Sequence, residues 1–320
     1  MTLAWSRLDA VSLMRKIARR APTSGANENP NRPDRAPLKR RLRRLRTTNL
    51  VALALLLIGY ATSGQAEPAT LSIELNGQTR HFSAAELLAS PATHALDIPR
   101  DPAYGQSMRY QAIPLLELML GLRTDATDAI EARASDGFVS QLPWSLIEQA
   151  ASGGAVAWIA IEDPAHPWPS LPSKSFSAGP FYLVWEHPEQ SGITSEQWPY
   201  ALASLTGVSD PLRRWPQLSI GADVPAGDPS RRGQAVFLVQ CLPCHRLYGA
   251  GAGEQGPDLG LPMPATAYLT QAGLKALLRD PAAVRTWPQQ QMPGFDADTL
   301  PNTDIDAVIA YLTRIGEQRR

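Results

Sequence analysis

The chain has two cysteines in 320 residues, and they stand together in Gln240-Cys241-Leu242-Pro243-Cys244-His245. C-x-x-C-H has the spacing of covalent haem attachment. Each thiol can add across one vinyl group to form a thioether. The imidazole that follows then sits under the iron as one axial ligand. C-x-x-C is also the spacing of a redox dithiol and of half a zinc site. A closed zinc site needs further cysteines or a spaced histidine pair, and the chain has no other cysteine. The segment is expected to carry one covalent haem c on Cys241 and Cys244, with His245 on the iron.

The opposite axial position calls for a soft donor. Met292, in Gln291-Met292-Pro293-Gly294, and Met263, in Pro262-Met263-Pro264, both qualify. A neighbouring proline stiffens the chain and lowers the ordering cost of presenting a thioether, although a methionine also serves as core filler. Arg285 and Trp287 could meet haem propionates or simply pack. The remaining histidines, His81, His94, His166 and His187, show no short-range ligand spacing and read as ordinary surface residues. The glycine-rich run 249–256 has no P-loop lysine, so a loop folded around haem is expected there.

Short helices must position these groups. One begins near Ser230 and delivers the chain to Cys241. A second covers Ala267 to Arg279 and stops at Asp280-Pro281. The last is capped by Thr303 and carries Ile305, Val308, Ile309, Leu312 and Ile315 on one stripe, with Tyr311 set to pack on the first helix. This arrangement over roughly 90 residues resembles class I cytochrome c. The resemblance implies an all-α fold over 230–320, Met292 as the second axial ligand, and a Pro257 carbonyl that accepts from the proximal imidazole.

Residues 67–223 read differently. Thr70 to Leu75 alternates and runs into Asn76-Gly77, a strand entering a hairpin turn. Ser83 and Glu86 have capping-box spacing. Ile113 to Leu120 has a helical pattern. Ile130, Ala132 and Ala134 alternate with Glu131 and Arg133, Phe138 to Ser140 resumes as a strand, and Trp144 to Ala150 looks helical. Ala155 to Ile161 is apolar throughout, as in a strand covered on both faces, and Phe181 to Trp185 is another strand. The expected class is a strand-rich α+β domain, joined by a linker at 224–229 to the helical domain. Its tryptophans are expected in the core.

Tyr110 to Leu120, Ala134 to Pro143 and Gly179 to Trp185 resemble the molybdopterin-binding domain of sulfite-oxidase-type oxidoreductases. That family ligates molybdenum through a cysteine thiolate, and no cysteine lies between Glu67 and Asp228. The departure argues against a molybdopterin centre and for a domain kept for docking.

The net charge of zero averages three unlike parts. Residues 1–66 hold 13 Lys/Arg against 3 Asp/Glu, residues 67–226 hold 8 against 18, and residues 227–320 hold 9 of each. In the first part a basic cluster at 39–46 precedes the apolar run Leu50 to Tyr60 and the small-residue exit Gly64-Gln65-Ala66. That is the layout of a signal peptide, and the run is shorter than the ~20 residues of a membrane span. Export to the periplasm is expected, with membrane association only if the segment is retained. A basic run placed before an apolar segment is not a nucleic-acid site. One-electron transfer between periplasmic redox partner proteins is the expected function, rather than enzymatic catalysis. The alternative is an oxidoreductase whose first domain binds molybdopterin or a metal and feeds the haem.

Overall fold

The computed structural model describes residues 69–122, 127–286, 288 and 290–319. The expected signal segment and Trp287 lie outside the described residues. The described residues form one compact unit, strand-rich in its first part and helical in its second.

Strands β1 (Thr70–Leu75) and β2 (Gln78–Ser83) form the expected hairpin. Asn76 and Gly77 both take positive φ, 53° and 71°, as a two-residue turn of this type requires. Ser83 Oγ then accepts from Glu86 N at 3.2 Å and starts α1 (Ala84–Leu88). The chain continues through β3 (His94–Asp101), β4 (Gln106–Pro114) and α2 (Leu115–Leu118), then β5 (Ala129–Ala134), β6 (Val139–Pro143) and α3 (Trp144–Glu148). It closes with β7 (Val156–Ile161), β8 (Phe181–Glu186), β9 (Leu202–Val208) and α4 (Pro211–Arg214). Two sheets result, one ordered β2-β1-β9-β5-β6 and the other β3-β4-β7-β8. Leu71, Ile73 and Leu205 of the first sheet and Tyr110, Ile159 and Trp185 of the second join in one core.

The two-sheet region departs from the local pattern in places. Ile113 belongs to β4, where it pairs with Ile159, and the helix is confined to 115–118. The polar face of β5 is partly covered: Glu131 is buried beneath α4, with Arg214 Nη1 2.7 Å and Gln141 Nε2 3.0 Å from its carboxylate, while Arg133 stays half-buried. Strands β3, β4 and β9 had no clear signal. Only Leu96, Ile98 and Asp101 of β3 are buried, and its register shifts between Ile98 and Asp101, around Pro99.

The helical part contains α5 (Pro229–Gln240), α6 (Ala265–Tyr268), α7 (Gln271–Arg279), α8 (Pro281–Val284) and α9 (Asn302–Glu317). The helix expected over 267–279 is broken at Leu269-Thr270, where Thr270 Oγ1 caps α7 by accepting from Gly273 N. Pro301, not Thr303, is the N-cap of α9, and Thr303 lies inside the first turn. Helices α5 and α9 cross closely at Gly233, where an added Cβ would fall 1.9 Å from Ala307 O. Phe237 and Tyr311 pack there with ring centroids 5.3 Å apart, and Tyr311 Oη donates to Leu218 O at 2.7 Å. Leu218, Ile220 and Val224 are buried in this second core. The 221–225 stretch is tied down by Arg231, whose Nε donates to Val224 O at 3.0 Å and whose Nη2 reaches the carbonyl of Gly221. Among the described residues, no helix is long and apolar enough to cross a membrane.

Candidate functional site

Helix α5 aims the C-x-x-C-H segment. Asp228 caps the helix through Ser230 N at 2.9 Å, and Pro229 occupies its first turn, where the missing N–H costs nothing. Past the last turn, Cys244 N and His245 N both donate to Cys241 O, at 3.2 and 2.9 Å. This folds the segment into a tight loop with both sulfurs on a short arc of chain. Cys241 is buried, Cys244 is half-buried, and both are free thiols. Burial first, and the Glu196 carboxylate second, push both thiols up to about 12. Dithiol exchange needs a thiolate, so these environments do not suit a redox dithiol.

The His245 ring is oriented by the Pro257 carbonyl. Its Nδ1 lies 2.8 Å from Pro257 O. A carbonyl can only accept, so Nδ1 carries the hydrogen and Nε2 keeps its lone pair. Burial holds the ring below its ordinary pKa, with the Pro257 bond acting the other way. A neutral imidazole with Nε2 available is the form that binds a metal, and the bond at the far nitrogen orients it. Gly256 leaves room for the ring: a Cβ there would sit 2.3 Å from His245 Cε1.

Asp258 shapes the loop that carries Pro257. It accepts from the backbone N–H groups of Tyr248, Gly249, Gly260 and Leu261 at 2.7–3.0 Å. Burial opposes ionisation of this carboxyl, and the four N–H groups outweigh it, so it titrates below its ordinary value. A depressed carboxyl pKa contributes stability that is fully present above the unfolded value, near 3.8, and lost as pH falls through the folded value. Asp258→Asn is expected to lower the unfolding midpoint at neutral pH and to flatten its dependence on acid. Denaturation of both proteins at neutral pH and near pH 3 checks this.

The two methionine candidates differ. Met263 is 51% exposed, whereas Met292 packs against the α5–α9 core. Arg279 anchors the stretch after Met292, its Nη1 donating to Phe295 O and Asp296 O at 2.8 and 2.9 Å. Arg285 is exposed beyond α8. His81, His94, His166 and His187 are exposed and lie on separate elements. No three His, Cys, Asp or Glu side chains converge on a metal position among the described residues.

Sequence reasoning missed one feature: the attachment loop docks on the two-sheet region. Strand β6 is an edge strand of its sheet, and Val139 N donates to Pro243 O at 2.9 Å. On the same side, Glu254 N donates to Gly137 O at 3.0 Å. The Ser195–Gln197 turn packs against both β6 and α5. These partners are separated by tens to more than a hundred residues, so no local pattern announces them.

Residues 230–315 match the family model for cytochrome c. No curated protein matches the chain. The match supports a cytochrome c domain in the helical part, a family that binds haem c covalently and transfers electrons through it. The donor set fits that group. Two adjacent free thiols, an oriented neutral imidazole and a glycine that clears the ring stand on one short segment.

Proposed function

We propose that this chain is a periplasmic c-type cytochrome with a single haem, which passes one electron at a time between partner proteins. The two-sheet region serves as its docking module. The observation that carries this reading is the C-x-x-C-H segment inside the family match, with His245 oriented by Pro257. Cys241 and Cys244 would hold haem as thioethers, and His245 Nε2 and Met292 Sδ would ligate its iron. Bound there, the haem supplies a one-electron couple whose potential His/Met ligation raises.

The chain's own residues do the rest. Pro257 fixes the imidazole, Gly256 leaves space for it, and Arg279 steadies the loop that follows Met292. The basic and apolar leader supports export. The acidic balance of residues 67–226 supports electrostatic steering of a basic partner, an effect that salt weakens. The absence of cysteine from the two-sheet region supports docking over a molybdenum centre.

A metal and cofactor inventory of the exported full chain tests the reading. The expected result is one haem iron per chain that survives denaturation, without stoichiometric molybdenum. Molybdenum at one per chain would replace the docking role with the oxidoreductase alternative. Absence of covalent haem would overturn the proposal as a whole.

A further inference from the structure

One carboxylate of the two-sheet region lies on a turn that packs against the elements flanking the attachment segment, and among the described residues no cation pairs with it. Glu196 lies on the Ser195–Gln197 turn, which is held on both sides. Thr194 N and Oγ1 lie 3.0 and 3.2 Å from Gln197 Oε1, and Trp185 Nε1 donates to Gln197 O at 2.8 Å. The turn packs on α5, whose last residue precedes Cys241, and on β6, whose first residue bonds to the C-x-x-C loop. Glu196 is half-buried and accepts from Ser195 Oγ at 3.3 Å.

Among the described residues, the elements packed against the turn offer it no ion-pair partner. Strand β6 has no titratable side chain. The two arginines of α5 are engaged elsewhere, Arg231 on the 221–225 carbonyls and Arg232 on Asp304 at 2.7 Å. Glu254, where the β5–β6 hairpin meets the haem loop, is paired with Arg246 at 3.2 Å. The thiols of Cys241 and Cys244 feel Glu196, and Cys244 also feels Asp136 at the hairpin tip. Burial pushes the Glu196 carboxyl up to about 7.

We propose that Glu196 is a redox-linked proton acceptor that couples the reduction potential of the haem on Cys241 and Cys244 to pH. The proposal rests on the haem reading above. Glu196 takes one proton from solvent when one electron enters from a one-electron donor, and returns it when that electron leaves. The physical cause is Coulombic. The oxidised site carries one more positive charge, which favours the anion of a nearby, poorly solvated carboxyl.

Spectroelectrochemical titration of the full haem-loaded chain across neutral pH tests this. The wild-type potential is expected to fall as pH rises through about 7 and to level off on either side. Glu196→Gln should match wild type in acid, lie above it in alkali and show no fall between. Glu196→Asp keeps the carboxyl and should restore the fall. Asp136→Asn should raise the potential near neutrality and leave the fall in place. A wild-type pH profile in Glu196→Gln would overturn the proposal and leave the haem reading standing. Lack of denaturation-resistant haem would overturn both.

Discussion

Gly233→Ala is expected to destabilise the protein by about 2–3 kcal/mol, because its new methyl group has no place to go. The added Cβ would lie 1.9 Å from Ala307 O and 2.8 Å from Tyr311 Cβ. The first neighbour is backbone of α9, inside a continuous helix, so relief requires α5 and α9 to separate. Separation also opens the contact between Phe237 and Tyr311, both fully buried. Helix propensity works the other way, favouring alanine over glycine by about 1 kcal/mol. A net loss would therefore show that the helix crossing outweighs propensity. Gly227→Ala is the matched control. A Cβ there meets nothing within 4 Å, and its unfolding midpoint should stay within about 0.5 kcal/mol of wild type. Chemical denaturation of the two variants beside wild type decides the matter, and equal midpoints would refute the crossing argument.

Gly256→Ala is expected to have the largest effect on the site while leaving every proposed ligand in the sequence. The methyl carbon would fall 2.3 Å from Cε1, 2.5 Å from Nδ1 and 2.9 Å from Nε2 of His245. The ring cannot stay there, and moving it breaks the 2.8 Å contact to Pro257 O. Loss of an orienting partner around a metal ligand costs roughly 10–100-fold in metal affinity or activity. The variant should mature with sharply reduced covalent haem or show an altered ferric spectrum. Pro257→Ala keeps the accepting carbonyl and should change haem content much less. Haem content per chain and the visible spectrum of both proteins provide the test. A normal spectrum in Gly256→Ala would mean that His245 is not held as described.

The two substitutions act at different ranges. Gly233 protects a contact between helices about 70 residues apart, and Gly256 protects a ring only 11 residues away. The haem-binding potential of the chain was legible at the second range. Cys241, Cys244 and His245 are adjacent, and their chemistry depends on spacing that the backbone cannot alter. The strand pair around Asn76-Gly77 and the cap at Ser83 were legible for the same reason, since turns and caps are decided within four residues. The stripe on α9 was legible from its period.

Where tertiary packing overrides local pattern, the reading changed. Glu131 alternates with apolar neighbours as a solvated residue would, yet it is buried because α4 brings Arg214 to it. Thr303 has the composition of a cap, but Pro301 occupies that position. Strand β9 sits at the centre of its sheet although Ala203, Ser204 and Gly207 interrupt its apolar pattern. Leu75 packs so closely that a Cβ at Gly207 would lie 2.6 Å from its Cδ2.

The sequence by itself determined that this chain can attach haem and that an acidic, strand-rich region precedes the attachment domain. Bond-forming chemistry and side-chain period are local properties, so both survive without coordinates. Only the tertiary structure decided that strand β6 hydrogen-bonds to the attachment loop and that the turn carrying Glu196 packs against α5 and β6, with no cation paired to Glu196 among the described residues. Electrostatics acts through space rather than along the chain. A carboxylate 45 residues before Cys241 therefore becomes its neighbour only once the two sheets and the helices have packed.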